Sequence, residues 1–182
     1  MTGQKLVVFT DIGDTIIDES TEIRTVPMGV VYHARCIPGA KEAMLSLYES
    51  GHTIAMVADG LVESFRNTMN ENGLSHIFAA EAISEEFGVE KPSPILFQTA
   101  MDRLGLTEAD KKRIIMVGNN VERDMAGARQ FGIRSVLLMW SDRHPSAPTC
   151  PEEVPDYIIH TPHELPALVA RLEQELGGET KW

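Results

Sequence analysis

The sequence predicts an α/β chain whose sheet is mostly parallel, with helices on both faces. Three observations predict it. Apolar runs of strand length recur down the chain, a helical apolar pattern follows nearly every run, and short connections carrying Gly or Pro separate them. Polar residues fall just past the ends of several runs, on the edge where open parallel sheets hold their ligands.

In order along the chain, residues 5–10 read as a buried strand, and Asp11 and Gly13 follow it at a tight turn. Residues 16–37, with Pro27 and Gly29, read as an insertion or short hairpin. Pro38-Gly39 opens a helix with Ala43, Met44, Leu47 and Tyr48 on one apolar face and Gly51 as its C-cap. Residues 52–58 form a second buried strand, and Asp59-Gly60 turns into a helix ended by Asn72-Gly73. Residues 77–83 make a short third strand. Lys91-Pro92-Ser93-Pro94 starts a helix running to Leu104, with Ser93 as N-cap and a proline where the N–H has no partner in any case. Residues 113–117 form the fourth strand, ending in Gly118-Asn119-Asn120, and a helix from Val121 to Phe131 is closed by Gly132. Residues 135–139 form the fifth strand, 141–155 a proline-rich loop, 157–159 a sixth short strand, and 162–176 a terminal helix with Leu165, Leu168, Val169 and Leu172 apolar. No repeat, low-complexity segment or second domain is visible, so 1–182 reads as one domain.

Composition narrows the function. The 182 residues can bury a substantial core. Net charge is −11, from 27 acidic residues against 16 Lys and Arg, which speaks against nucleic acid or an anionic membrane as partner. A phosphorylated substrate stays open, because a bound cation reverses the local sign. Cys36 and Cys150 have no metal-type spacing, and a domain of this size needs no disulfide. The run after Met1-Thr-Gly-Gln-Lys5 is too short for a leader, and no run approaches a membrane span. The expectation is a cytoplasmic protein.

Asp11, Asp59, Lys91, and Asn119 with Asp124 all sit near the C-terminal ends of predicted strands, and a parallel sheet gathers those ends on one edge. A carboxylate there can act as a nucleophile or as a hard metal ligand. Each residue also has an ordinary reading: Asp11 and Asp14 as turn formers, Asp59 as a helix N-cap, Asp124 as a carboxylate at a helix start. The six histidines show no ligand spacing and read as surface or packing residues.

Four segments, in order, resemble the motifs of the haloacid dehalogenase-like (HAD) hydrolase superfamily. They are Phe9-Thr-Asp11-Ile-Gly-Asp-Thr15, Gly51-His-Thr-Ile-Ala-Met-Val-Ala58-Asp59-Gly60, Gly88-Val-Glu-Lys91-Pro-Ser-Pro-Ile-Leu-Phe97 and Met116-Val-Gly118-Asn119-Asn-Val-Glu-Arg-Asp124-Met-Ala-Gly127-Ala128. The resemblance covers roughly residues 5–160. It implies a three-layer α/β/α sandwich with a Rossmann-like sheet and a Mg²⁺-dependent hydrolase, most simply a phosphatase. In that scheme Asp11 attacks phosphorus to form an aspartyl-phosphate, and Lys91 neutralises charge on the transferring group. Asp11, the Gly13 carbonyl, Asn119 and Asp124 hold Mg²⁺, and backbone N–H groups around Asp59-Gly60 cradle phosphate oxygens. The substrate that the resemblance implies is a small phosphorylated compound.

The resemblance is incomplete. The family's phosphatases carry an acid/base Asp two residues after the nucleophile, where this chain has Gly13; Asp14, one residue later, reaches the site only if the turn is distorted. The hydroxyl of the second motif is replaced by Ala58, and the first acid of the fourth by Asn119. A catalytically impaired domain that binds a phosphorylated ligand or a protein partner is therefore the alternative. A 2-haloacid dehalogenase is a lesser one, because residues 16–37 are too few for the large helical cap of those members. Those residues read instead as a flap or minimal cap over an open site, with Arg24, Tyr32, His33 or Arg35 as specificity contacts. The apolar residues in 26–37 point to self-association as a homo-oligomer.

Overall fold

The computed structural model describes residues 5–179. Six strands form one parallel sheet: β1 (Val7–Thr10), β4 (Thr53–Ala58), β5 (Phe78–Ile83), β6 (Ile114–Gly118), β7 (Arg134–Leu138) and β8 (Tyr157–Ile159), in the order β5-β4-β1-β6-β7-β8. The remaining two, β2 (Ile23–Arg24) and β3 (Val31–His33), pair antiparallel as a hairpin inside residues 16–37. The helices are α1 (Ala40–Glu49), α2 (Val62–Glu71), α3 (Pro94–Arg103), α4 (Ala126–Phe131) and α5 (Glu164–Glu179).

Alternation along the strands divides the core into two layers. Leu6, just before β1, and Val8 within it face a cluster holding Met44 and Leu47 of α1, Met69 of α2, and Leu168, Val169 and Leu172 of α5. Val7 and Phe9 face the other cluster, with Leu96, Phe97, Ala100 and Met101 of α3 and Ala128 and Phe131 of α4. Every residue of β1 is buried, as a strand covered on both faces requires. The helices thus lie on both sides of the sheet, as predicted. Among the described residues, no helix is long and apolar enough to cross a membrane. Cys36 and Cys150 are both free thiols.

Two features position the site. First, β1 lies between β4 and β6, so the chain builds the sheet outward from β1 in one direction through β5 and in the other through β8. The strand order reverses beside β1, and such a reversal opens a crevice at the carboxyl ends of the strands. Second, the hairpin lies on α2. The Ser64 hydroxyl accepts from the Val31 N–H at 2.9 Å, and the Asn67 and Asn72 side-chain amides donate to the Val31 and Ala34 carbonyls. The hairpin turn leaves Val26 and Met28 exposed.

The fold makes one packing test available. Phe97 is fully buried, and its ring stacks on Phe131 at 5.6 Å between centroids, joining α3 to α4. Phe97→Ala should lower the unfolding free energy by about 3–5 kcal/mol, read as a drop in the urea midpoint with the slope of the transition unchanged.

Candidate active site

β1 delivers Asp11 to the sheet edge, where its N–H donates to the Val117 carbonyl of β6 at 2.9 Å. Lys91 comes in from the turn before α3. Its Nζ lies 2.9 Å from Asp11 Oδ1, 2.7 Å from Asp124 Oδ1 and 2.9 Å from the Val57 carbonyl of β4. Three acceptors take up the three protons of the ammonium. Its side chain is 1% exposed, so the charge is held almost entirely by these partners.

Asp124 is as tightly placed. Its Oδ2 accepts the N–H groups of Asn119 and Asn120, each at 3.1 Å. A π-type turn over Val121–Met125 leads into α4, and the Asn120 side chain caps it by accepting from the Glu122 and Arg123 N–H groups. The last residue of β6 must be glycine for this approach: a Cβ on Gly118 would lie 2.3 Å from Asp124 Cγ. Asp59 does not cap the following helix, whose N-cap position is Leu61. Its Oδ1 accepts the Lys91 N–H at 3.0 Å and its Oδ2 pairs with Arg123 at 3.3 Å, so it clamps the turn that carries Lys91. Gly60 borders the same space, but its N–H is already given to the Ser84 hydroxyl at 2.9 Å. Ala58 is fully buried and offers no hydroxyl.

These groups surround an open cavity of about 150 Å³, bordered also by Gly13, Glu19, Glu22, Arg24, Asn119, Arg123 and His144. Arg24 brings the hairpin to its rim, whereas Tyr32, His33 and Arg35 do not border it. Burial pushes the Asp11 carboxyl up to about 7, against the pull of Lys91 and with the help of Asp124. Burial likewise raises Asp59, opposed by Lys91. Burial alone would lower Lys91, but Asp11, Asp124 and Asp59 hold it above the ordinary lysine value. Three partly desolvated carboxylates around one ammonium leave the site short of positive charge. The Asn119 side-chain nitrogen is buried without a partner, and an amide so placed can turn its oxygen into the cavity instead.

Asp14 needs a correction. The sequence offers it as a stand-in acid if the turn distorts to bring it over, but it does not border the cavity. It adopts a left-handed turn, with φ of 46°, and is fully buried beneath the loop after β7. Arg143 grips both of its oxygens, at 2.5 and 2.6 Å, and the Ser141 hydroxyl donates at 2.7 Å. Burial works to raise Asp14, but these hydrogen bonds win and hold it below the usual carboxylate range. Its role is to dock the loop, and Arg143 reaches on to Asp18 at 2.9 Å.

That docking brings in two residues with no sequence signal of their own. Glu19 sits in the insertion, and His144 reads as surface or packing; the structure puts His144 Nε2 3.0 Å from Glu19 Oε2 at the cavity wall. Ligand atoms of Asp14, Glu19 and His144 lie within 4.8 Å of one another. Arg143 already neutralises Asp14, so this cluster does not offer a cation a full set of charged ligands.

The parallel α/β sheet and the strand-end aspartate–lysine site define the class of protein, and the comparisons narrow it. The family described as haloacid dehalogenase-like hydrolase matches over residues 11–138. The chain belongs to that family. It is 30% identical over 138 residues to a glyceraldehyde 3-phosphate phosphatase of Methanopyrus kandleri, covering 76% of this chain and 58% of that protein. It is 34% identical over 119 residues to a phosphoserine phosphatase of Thermus thermophilus, covering 65% and 45%. The chain therefore spans about half the length of these curated relatives. An uncharacterized protein from Listeria monocytogenes serotype 4b shares the fold nearly end to end, with a TM-score of 0.76 at 20% identity over 93% of this chain and 99% of that one.

Replacing Arg143 by Ala should strand the buried Asp14 carboxylate and cost about 1–3 kcal/mol of stability. Thermal denaturation should show this as a drop of roughly 2–4 °C per kcal/mol, and Arg143→Lys should recover only part of it, since one ammonium cannot grip both oxygens.

Proposed function

We propose that this chain is a Mg²⁺-dependent phosphohydrolase acting on a small phosphorylated compound, with Asp11 as the nucleophile. The observation that carries the reading is the desolvated Lys91 ammonium, bonded to Asp11 and Asp124 at a strand-order reversal. A buried cation at that point favours the ionised form of Asp11 against its burial and faces the charge of a transferring phosphoryl group. Asp11 would attack phosphorus, form an aspartyl-phosphate, and be regenerated by water.

The donor set suits a hard divalent cation. Asp11, the Gly13 carbonyl and Asn119 would hold it, and Asp124, bonded through both oxygens, would add its charge and remaining lone pairs. The partnerless Asn119 amide and the burial that, with Asp124 nearby, lifts Asp11 both favour such an occupant. Mg²⁺ there would supply charge neutralisation to the carboxylates and to the transferring group. An amide in place of a carboxylate makes the binding weaker. The phosphatase relatives support the choice of phosphorus as the centre attacked.

One alternative has a specific observation in its favour. Ala58 contributes no hydroxyl and the Gly60 N–H is engaged by Ser84, so two donors that would hold a phosphate are missing or occupied. A chain so depleted could bind a phosphorylated ligand or a protein partner without turning it over.

Hydrolysis of an aryl phosphate and of acetyl phosphate, with and without Mg²⁺, separates the two. We expect Mg²⁺-dependent turnover that Asp11→Asn reduces to background. Equal rates for the two proteins would favour the binding reading, and halide release from a 2-haloacid would redirect the chemistry to carbon.

A further inference from the structure

A phosphate monoester is a poor substrate unless its departing oxygen receives a proton, and the aspartyl-phosphate then needs a water stripped of one. Most titratable groups around the cavity are committed elsewhere. Lys91 gives its protons to Asp11, Asp124 and the Val57 carbonyl. Asp59 holds the Lys91 backbone and Arg123, both oxygens of Asp124 are bonded, and Glu22 pairs with Arg24. Glu19 remains.

Its position is informative. A Cβ built on Gly13 would lie 2.1 Å from Glu19 Oε1 and 3.0 Å from its Cδ. The Glu19 carboxyl therefore fills the space into which any side chain at position 13, two residues past the nucleophile, would project. Gly13 does not have a positive φ, so its lack of a side chain answers to this approach and not to a strained backbone. Glu19 is held from two sides. Asp14 Oδ1 accepts its N–H at 3.1 Å, and His144 Nε2 meets its other carboxyl oxygen, Oε2, at 3.0 Å. Its side chain stays 31% exposed, open to the cavity and to water.

We infer that Glu19 is the general acid/base of this site, delivering from the insertion the carboxyl group that Gly13 lacks, with His144 and Asp14 as its positioning residues. The inference rests on the phosphohydrolase reading. As Asp11 Oδ attacks phosphorus, the bond to the ester oxygen breaks and Glu19, protonated, gives that oxygen its proton, releasing the alcohol. Glu19, now a carboxylate, takes a proton from water; the hydroxide adds to phosphorus, the bond to Asp11 breaks, and inorganic phosphate leaves. One ester and one water yield one alcohol and one phosphate, with Asp11 ionised and Glu19 protonated as at the start.

The test compares Glu19→Gln with the unchanged protein on two esters, phenyl phosphate and 4-nitrophenyl phosphate, in Mg²⁺. Nitrophenolate leaves without a proton and phenolate leaves poorly without one. Glu19→Gln should slow aspartyl-phosphate formation from phenyl phosphate by about 100-fold or more, but from 4-nitrophenyl phosphate by only a few-fold. Phosphoenzyme should accumulate from the second ester, because the base for water is gone. A swap supplies an independent reading: Glu19→Ala should be impaired like Glu19→Gln, and Gly13→Asp added to it should restore turnover of phenyl phosphate, the space at position 13 having been vacated. Equal slowing on both esters with no recovery in the swap, or no slowing at all, overturns the assignment while leaving the phosphohydrolase reading intact. Absence of turnover in the unchanged protein on either ester removes that reading and the assignment with it.

Discussion

The Lys91 ammonium is the contact on which the site depends. It ties the residue after β1, the backbone of β4 and the carboxylate beyond β6 to one buried point. Burying a charge is costly unless it is paired and its protons are satisfied, and here both conditions hold. The same condition makes the arrangement unforgiving. Asp124 must come close enough for contact, which excludes a side chain at Gly118, and Asp59 must hold the Lys91 turn, which removes it from helix capping. Site chemistry and sheet-edge geometry are therefore set by one constraint.

The rest of the cavity is assembled from pieces that the sheet does not provide. The long connection after β7 closes over the first turn because Arg143 pairs with a carboxylate buried beneath it. The hairpin is fixed to α2 through side-chain hydrogen bonds to its backbone. A short insertion and a docked loop thus both contribute to the wall of the cavity, which stays open.

What could be read from the sequence divides along the same line. Asp11, Asp59, Lys91, Asn119 and Asp124 all follow apolar runs or glycine turns, and the parallel topology turns that local pattern into a spatial one; all five border the cavity. Strand and helix order was legible for the same reason. The π-type turn was not, since Val121–Met125 has the composition of an ordinary helix start. Nor was the fate of Asp14. Its partner lies 129 residues away in a proline-rich loop with no periodicity to betray where it folds. Glu19 and His144 carry no local signal: a carboxylate in an irregular insertion and a histidine in that same loop acquire meaning only once both segments are docked.

The placement of β1 has a consequence for how the molecule is made. The first strand of the sheet pairs with residues 53–56 on one side and 114–117 on the other, never with its own neighbours in sequence. During synthesis it therefore waits, apolar and unpaired on its second edge, until more than half the chain has emerged. Pairings this distant carry a large loop-closure cost and slow the search for the native state. Asp11, Lys91 and Asp124 are brought together only when β6 slots in beside β1, so a nascent chain has no partial site, and an interruption before that point leaves an apolar edge for chaperones to cover.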